Sequence, residues 1–244
     1  MAPRVPELTM TAWLRFGAVR RGLHIARPRR VLEIGAGQGA LGAWLARRYD
    51  YTGIEPDAES RRVAASRLRA VGQGEMHGDF VKGDDRCYDA VCAFEVLEHI
   101  EDDRQALAAW RARLVPRGYL LLSVPAHSGR FGLSDTYVGH FRRYDRVELR
   151  ERLEAEGFEI VRWRSYGVGL GQLVDTARNA ILRRRHASVT VEERTAGSGR
   201  LFQPQNPARA LFNYIVALPF RVLQAPFART DAGIGYVVLA RLRS

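Results

Sequence analysis

The stretch Val31-Leu-Glu-Ile-Gly-Ala-Gly-Gln-Gly-Ala-Leu-Gly42 decides the fold of this 244-residue chain. Its first four residues predict a short buried strand. Gly35, Gly37 and Gly39 predict a tight loop, and residues 40–48 predict a helix that leaves the loop. A strand, a glycine turn and a helix N-terminus bring bare backbone N–H groups close to a ligand. The stretch therefore predicts a ligand-binding α/β domain.

The glycine spacing alone leaves two ligand classes open. The pattern Gly37-x-Gly39-x-x-Gly42 also fits the fingerprint of dinucleotide-binding proteins, so an NAD-type oxidoreductase is one interpretation. Acidic residues argue against it, because the carboxyl ends of parallel strands line the ligand crevice of such a sheet. Four acids at these positions would repel a pyrophosphate and favour a ligand with an ammonium, a sulfonium and a free ribose. They are Glu33, Glu55, Asp79 and Glu95.

This joint pattern resembles motif I and its successors in class I S-adenosylmethionine-dependent methyltransferases, over residues 29–160. The resemblance implies an α/β fold, a Rossmann-like seven-stranded doubly wound sheet that is mostly parallel with the last strand reversed. It implies S-adenosylmethionine as cofactor, with Glu55 on the ribose hydroxyls and Asp79 and Phe80 beside the adenine. The predicted cofactor set is Glu33, Gly35, Ala36, Gly37, Gly39, Glu55, Pro56, Asp79, Phe80 and Glu95.

Two histidines are the candidate catalytic residues, because methyl transfer to an oxygen requires removal of a proton. His140 lies in Gly139-His-Phe-Arg-Arg-Tyr144, which resembles a segment of relatives that act on small molecules and lipids. A hydrogen bond that fixes the loop is its alternative role. His99 follows the fourth predicted strand, where it could instead cap a helix. Predicted substrate contacts are Arg142, Arg143 and Tyr144; the two arginines could clamp an anion or simply lie in a solvated loop.

The segment Glu95-x-x-Glu98-His99 has a second interpretation. Its three side chains could bind a divalent ion that holds acceptor hydroxyls. The segment resembles Glu-x-x-Glu-His in ubiquinone-pathway O-methyltransferases and in small-RNA terminal methyltransferases. Without a metal, Glu95 faces the cofactor and Glu98 starts a helix.

Composition limits the partners and the setting. The formal net charge is +11, which favours a solvated basic surface, an anionic substrate, a membrane surface or nucleic acid. The sequence has no recognised RNA-binding module, so nucleic acid is the less favoured partner and an RNA methyltransferase remains an alternative. Cys87 and Cys92 lie five residues apart on one predicted strand, too far apart to bridge. We expect a reduced, cytoplasmic setting without a signal peptide, with contact to a membrane surface left open.

After the fourth predicted strand, the pattern predicts a turn at 116–118, a loop at 126–145 and the sixth strand at 158–166. It also predicts three regions. They are an N-terminal helix within residues 1–28, a methyltransferase domain of residues 29–166 and 233–244, and a helical insertion at 167–232. The insertion combines a helical stretch (170–185), a polar stretch (188–199) and an apolar-basic stretch (207–227). In the last, one helical face needs a cover: Leu211, Phe212, Ile215, Leu218 and Val222. A cap over the acceptor pocket is the leading cover, and a second subunit or a lipid surface are the alternatives.

The prediction for function is an O-methyltransferase that acts on a small or lipid-like hydrophobic acceptor. N- or C-methylation of a small molecule stays open, and so does a scaffold that binds the cofactor without turnover.

Overall fold

The computed structural model describes residues 6–80, 87–184 and 207–243, with side chains described throughout except at 182–184 and 207. The predicted polar stretch 188–199 therefore lies outside the described residues. Cys87 and Cys92 are not joined by a disulfide bond.

Seven strands form one sheet in the order β3-β2-β1-β4-β5-β7-β6. They are β1 (Arg30–Ile34), β2 (Asp50–Ile54), β3 (Glu75–His77), β4 (Tyr88–Phe94), β5 (Leu114–Pro125), β6 (Phe158–Tyr166) and β7 (Gly235–Leu242). The first five pair in parallel, and β7 runs antiparallel to both β5 and β6. The predicted fold class is confirmed. The chain order reverses between β1 and β4, so their carboxyl ends flank the ligand crevice expected of such a sheet.

Helices cover both faces of the sheet. They are α1 (Met10–Ala26), α2 (Ala40–Ala46), α3 (Ala58–Val71), α4 (Asp103–Arg111), α5 (Leu133–Val138), α6 (Arg146–Ala155), α7 (Leu170–Arg184) and α8 (Pro207–Leu223). One hydrophobic core holds Leu107 and Trp110 of α4 with Leu149 and Leu153 of α6. A second core holds residues of α1, α2 and α8. Helices α1 and α8 therefore lie on one face of the sheet, and α4 and α6 lie on the other.

The loop between β1 and α2 depends on its glycines. Gly35, Gly37 and Gly39 have φ angles of 66°, 54° and 73°, in the left-handed region that glycine adopts without strain. A Cβ at Gly39 would lie 2.7 Å from the Cβ of Ala64, so α2 can approach α3 only without a side chain there. At Gly37 a Cβ would meet nothing within 4 Å, which leaves open space above the loop.

Two departures from the sequence prediction lie around β5. Residues 116–118 were expected to form a turn, but they belong to β5, which begins at Leu114. The β4–β5 register shifts between Tyr88 and Ala90, so the expected turn is an irregularity within the strand. The expected loop at 126–145 contains a short helix, α5, closed at its start by the Asp135 carboxylate, which accepts a hydrogen bond from the Gly132 N–H.

In the insertion, α8 packs against α1 through a face of small and polar residues. Ala217 is fully buried there, and the Tyr214 ring lies edge-on to Trp13 with ring centres 4.8 Å apart. The Asn213 and Gln224 amides donate hydrogen bonds to the Leu8 and Leu14 carbonyls. The apolar face that was expected to be covered is exposed instead. None of the described residues of α8 lines the cavity at the glycine loop, and the predicted cap over the acceptor pocket stays a prediction.

Among the helices that the structure describes, none is both long enough and apolar enough to cross a membrane.

Candidate active site

A cavity of about 280 Å³ lies where the glycine loop meets α1 and the segment after β5. Its walls include Glu33, Gly35, Ala36 and Gly37 on one side and His99 and His140 on the other. Apolar side chains supply much of the rest: Leu8, Ala12, Phe16, Val19, Leu41, Phe94 and Val138. The structure thus brings part of the predicted cofactor set and both candidate catalytic histidines to one cavity.

Glu33 is buried beside the glycine loop. Its carboxylate accepts a hydrogen bond of 2.6 Å from the Tyr51 hydroxyl. Burial raises the pKa of Glu33 to about 7, although that hydrogen bond and the charge of Arg15 lower it. The carboxyl group is therefore partly protonated at neutral pH, and a cation beside it would favour its ionised form.

Glu55 follows β2 and supports the glycine loop. Its carboxylate accepts hydrogen bonds from the Gly37 N–H at 2.7 Å and from the Asp57 N–H at 2.9 Å. Burial raises the pKa of Glu55, while the two backbone hydrogen bonds lower it. The ribose contact implied by the resemblance stays a prediction.

Five residues of the predicted cofactor set are not among those that line this cavity: Gly39, Glu55, Pro56, Asp79 and Phe80. Asp79 is exposed and accepts a hydrogen bond from the Phe80 N–H. The Arg113 guanidinium lies 4.8 Å from the centre of the Phe80 ring. Pro56 is exposed. The adenine contacts of Asp79 and Phe80 stay predictions.

Glu95 ends β4 with a φ of 58°, a left-handed conformation that is uncommon for a residue with a side chain. Its carboxylate accepts hydrogen bonds from the Ser123 hydroxyl at 2.7 Å and the Tyr166 hydroxyl at 2.9 Å. Arg15 of α1 adds a cation. Burial lowers the pKa of Arg15, but the charges of Glu95, Tyr166 and Glu98 outweigh burial and raise it overall. Arg15 therefore remains charged inside the cavity wall.

His140 is held by a carboxylate. Its Nδ1 lies 2.8 Å from Asp135 Oδ1. Because an ionised carboxylate can only accept, the Nδ1–H donates this bond and Nε2 is left as a proton acceptor. Hydrogen bonds from His140 and Arg143 lower the pKa of Asp135 against the opposing effect of burial, so Asp135 stays ionised. The pair has the arrangement of a general base and its orienting acid.

His99 packs edge-on against His140, with ring centres 4.6 Å apart. Burial and the neighbouring His140 lower the pKa of His99 to about 4. Its imidazole is therefore neutral at physiological pH and can serve as a ligand or an acceptor.

The predicted substrate contacts at Arg142, Arg143 and Tyr144 are not supported, because all three side chains have internal partners. Arg143 is buried and donates to both carboxylate oxygens of Asp135 and to Asp175 of α7. Arg142 forms an ion pair of 2.8 Å with Asp103, and the buried Tyr144 hydroxyl donates to the same carboxylate. These bonds fix the segment that carries His140.

Glu98, His99 and His140 form a cluster whose ligand atoms all lie within 4.8 Å of one another. The predicted metal set had Glu95 in place of His140. In the part of the chain that the structure describes, neither carboxylate oxygen of Glu98 accepts a hydrogen bond from another residue. Burial and the charge of Glu95 raise the pKa of Glu98 well above its usual range. The donor set suits a divalent cation, since one carboxylate and two imidazoles are common ligands of such ions.

Residues 10–162 match the family model described as a methyltransferase domain. The chain belongs to this family. The assignment confirms the class I S-adenosylmethionine-dependent methyltransferase that the sequence predicted, together with its cofactor. The NAD-type interpretation of the glycine pattern is thereby set aside.

Curated relatives of this methyltransferase share part of its sequence. A Mycolicibacterium smegmatis protein named as a probable S-adenosylmethionine-dependent methyltransferase is 32% identical over 163 residues, or 63% of this chain and 62% of the relative. An uncharacterized methyltransferase of Mycobacterium bovis is 37% identical over 93 residues, which are 37% of this chain and 47% of the relative. A ubiquinone biosynthesis O-methyltransferase of Erwinia tasmaniensis is 33% identical over 106 residues, covering 39% and 42%. The chain spans about half the length of the curated relatives it matches.

Solved structures share the fold of this methyltransferase. The [4+2]-cyclase SpnF aligns with a TM-score of 0.58 and 21% identity over 93% of this chain and 81% of its own. The magnesium protoporphyrin IX methyltransferase of Synechocystis, solved with bound SAH, has a TM-score of 0.53 and 15% identity over 95% and 85%. At these identities the likeness concerns the fold alone.

Sequence reasoning missed two residues of the site. In sequence, Arg15 resembles the other arginines of α1. The only sign that it is buried is its position between the apolar residues Leu14 and Phe16. Asp135 precedes His140 by five residues in a segment expected to be a loop. It could have been found by searching for a carboxylate within five residues of the candidate base.

Proposed function

We propose that this methyltransferase transfers a methyl group from S-adenosylmethionine to an oxygen of a small, hydrophobic or lipid-like acceptor. One observation carries the proposal. The Asp135-oriented His140 and the glycine loop line the same cavity, so that a base and a cofactor site lie within reach of one acceptor.

The acceptor class follows from the cavity lining and from the relatives. The walls combine aliphatic and aromatic side chains such as Leu41, Phe94 and Val138 with polar and charged ones that include Arg15, Glu33 and the two histidines. With Arg15 and Glu33 assigned to the cofactor, the apolar part favours an acceptor that has an apolar body and one polar group at the histidines. Two curated relatives are named as ubiquinone biosynthesis O-methyltransferases, and ubiquinone precursors are acceptors of this kind. N- or C-methylation of a small molecule is the alternative.

The residues present fit the cofactor. Open space above Gly37 lets a ligand approach the backbone closely. We assign the partly protonated Glu33 to the ammonium of the methionine moiety and the Arg15 guanidinium to its carboxylate. When bound, S-adenosylmethionine supplies a methyl group on a sulfonium, and its transfer breaks the C–S bond as the C–O bond forms.

The chain's own contribution to this reaction is proton removal and positioning. His140 Nε2 accepts the proton of the acceptor hydroxyl as that oxygen becomes bonded to the methyl carbon. Asp135 stabilises the imidazolium that results, because its carboxylate already accepts the Nδ1–H bond. The apolar walls exclude water, which would otherwise compete as an acceptor.

A metal-assisted version is the second candidate. It is favoured by the buried Glu98 carboxylate, which accepts no hydrogen bond from another described residue and lies 3.9 Å from His140 Nε2. Glu98, His99 and His140 would hold a divalent ion, which would lower the pKa of a bound acceptor hydroxyl. His140 would then act as a ligand instead of a base. The two versions of the mechanism exclude each other, because His140 cannot be both the general base and a metal ligand.

Calorimetry with S-adenosylmethionine tests the cofactor site first. We expect saturable binding to the folded protein, and its absence at millimolar cofactor would refute the proposal. Labelled S-adenosylmethionine is then incubated with a lipid extract and with RNA in parallel, and the labelled product is identified by mass spectrometry. Label on a hydroxyl-bearing, extractable compound is expected, whereas label on RNA or on nothing would contradict the acceptor class.

Chelation separates the two versions of the mechanism. Activity after exhaustive treatment with EDTA, and again after addition of magnesium or manganese, is compared with an untreated sample. Unchanged activity supports His140 as the base. Loss that magnesium or manganese reverses supports the metal-assisted version.

A further inference from the structure

The outer face of α8 exposes a continuous set of large apolar side chains. Leu211, Phe212, Ile215, Leu218, Val222 and Leu223 are between 44% and 70% exposed, and Phe227 just beyond the helix is 45% exposed. Consecutive members of this set are three or four positions apart, except for the adjacent pairs 211/212 and 222/223. They therefore cover one side of the helix. Scattered apolar residues on a surface are ordinary, but a contiguous apolar patch marks an interaction site.

A groove lined by arginines runs beside this face. Arg21, Arg162, Arg164 and Arg221 line it together with Leu218 and Val222, and its volume is about 350 Å³. We call these four arginines the basic groove. No carboxylate pairs with any of them, or with neighbouring Arg229, among the residues that the structure describes.

The basic groove is electrostatically strained. Burial lowers the pKa of Arg162, and the charges of Arg21 and Arg229 lower it further. Arg164 has its pKa lowered by burial and by the charges of Arg162 and Arg229. Like charges held this close favour an anionic ligand, because each added negative charge relieves several repulsions at once.

The sequence of this region agrees with the geometry. Residues 207–229 contain three arginines and no acidic residue. A second copy of this chain would bring one basic groove against another if it docked here symmetrically, which is unfavourable. A lipid surface with anionic headgroups complements both the charge and the apolar face.

We propose that α8 docks this protein on an anionic membrane surface, with its outer face among the acyl chains and the basic groove on the phosphates. The docking does not require the proposed methylation. The docking site and the proposed active site share one element, because α1 lies between them. One side of α1 lines the cavity with Arg15 and Phe16, and another side contacts α8 through Trp13 and Leu14.

Flotation with vesicles of phosphatidylcholine alone or with phosphatidylglycerol tests the proposal. We expect the full chain to float with the anionic vesicles, to stay behind with the neutral ones, and to bind less at high salt. A protein that ignores anionic vesicles, or that binds both kinds equally, would overturn it.

Two variants separate the apolar and the charged contributions. Leu211→Gln/Ile215→Gln/Val222→Gln removes three exposed side chains and keeps good helix formers. Arg21→Glu/Arg229→Glu reverses two exposed charges, one in the basic groove and one next to it. Since an arginine near such a surface contributes about 1 kcal/mol, losing two should weaken binding at least about 30-fold.

Arg104→Glu/Arg111→Glu is the matched control, because it makes the same charge change on exposed residues of α4, on the opposite face of the sheet. It should float like the parent. If the control loses binding as strongly as Arg21→Glu/Arg229→Glu, net charge alone explains the flotation and the proposal fails. Sedimentation velocity of the parent and the triple glutamine variant gives the remaining outcome. A dimer that the triple variant converts to monomers would assign the face to self-association instead.

Discussion

Two walls of the cavity are built in different ways. The glycine-loop wall comes from one continuous stretch that includes Glu33, and its key features are main-chain conformations, which Glu55 of the next strand end supports from outside the cavity. The histidine wall is assembled from side chains of separate segments: Glu98 and His99 after β4, and Asp135 and His140 after β5. The first wall depends on local geometry and the second on tertiary contacts. Changes in the first should therefore act on cofactor binding, and changes in the second on turnover.

The largest expected effect is on the histidine wall. His140→Ala should lower turnover about 10²- to 10⁴-fold, because the base that accepts the acceptor's proton is lost. The dissociation constant for S-adenosylmethionine should change less than about twofold. Steady-state kinetics and calorimetry measure the two quantities. His77→Ala, at a half-buried histidine of β3 that does not line the cavity, is the control and should match the parent. Turnover of His140→Ala within twofold of the parent would remove His140 from the chemistry.

Next comes the glycine-loop wall itself. Gly39→Ala forces a residue with a side chain into the left-handed conformation, which costs about 1–2 kcal/mol of folding free energy. It also places a methyl group 2.8 Å from the Ala64 Cα, so the backbone of α3 must move. Gly37→Ala has the same conformational cost without the overlap. We expect urea unfolding to show a loss of about 3 kcal/mol for Gly39→Ala and about 1 kcal/mol for Gly37→Ala. Equal losses would show that the contact between α2 and α3 adjusts freely.

Arg15 tests whether α1 belongs functionally to the cofactor side. Arg15→Gln removes a charge-assisted hydrogen bond worth about 1.5–3 kcal/mol, so the affinity for S-adenosylmethionine should fall about 10- to 100-fold. Affinity for methylthioadenosine, which lacks the amino-acid moiety, should stay unchanged. Arg20→Gln, on an exposed part of the same helix, is the control. A parallel loss of both affinities in Arg15→Gln would indicate a structural role only.

The smallest effect concerns pH. Because the pKa of Glu33 is raised to about 7 and a bound ammonium favours its ionised form, cofactor affinity should rise about tenfold from pH 6 to pH 8. Glu33→Gln should remove this slope.

The stability of the cofactor-free protein should have the opposite slope. A carboxyl group with a raised pKa binds more protons in the folded state than in the unfolded state. Its contribution is complete below its ordinary pKa of 4.5 and is lost as the pH rises through about 7. Unfolding of the parent and Glu33→Gln at several pH values measures the difference, and identical profiles would contradict the assigned pKa.

Much of the fold could be predicted from sequence because its signals are local. The strand β6 lies at Phe158–Tyr166, as its pattern indicated, and the acids Glu33, Glu55 and Glu95 lie at the strand ends where they were expected. The start of β5 was wrong, since Pro116 and Gly118 are ordinary turn residues and only the pairing with β4 draws them into the strand.

The rest of the site depends on contacts between distant residues. Arg143 looked like a free cation in sequence, but Asp135 and Asp175 on two other elements bind it. The orientation of α8 could not be predicted from sequence for a related reason. Hydrophobicity alone points its leucines inward, whereas Ala217, Asn213 and Gln224 fit α1 more closely and bond to its carbonyl groups.

Gln224 joins three segments that are made at very different times. Its amide group donates to the Leu14 carbonyl, 210 residues earlier, and its oxygen accepts from the Gly167 N–H. On the ribosome, α1 emerges first, but the partner that anchors it is translated only when α8 is complete. Since α1 supplies part of the cavity wall, the nascent chain can pair the parallel strands β1 to β5 before that part is secured, whereas β7 is translated only after Gln224. The finished cofactor site is therefore a late product of synthesis, although the motif that begins it lies near the start.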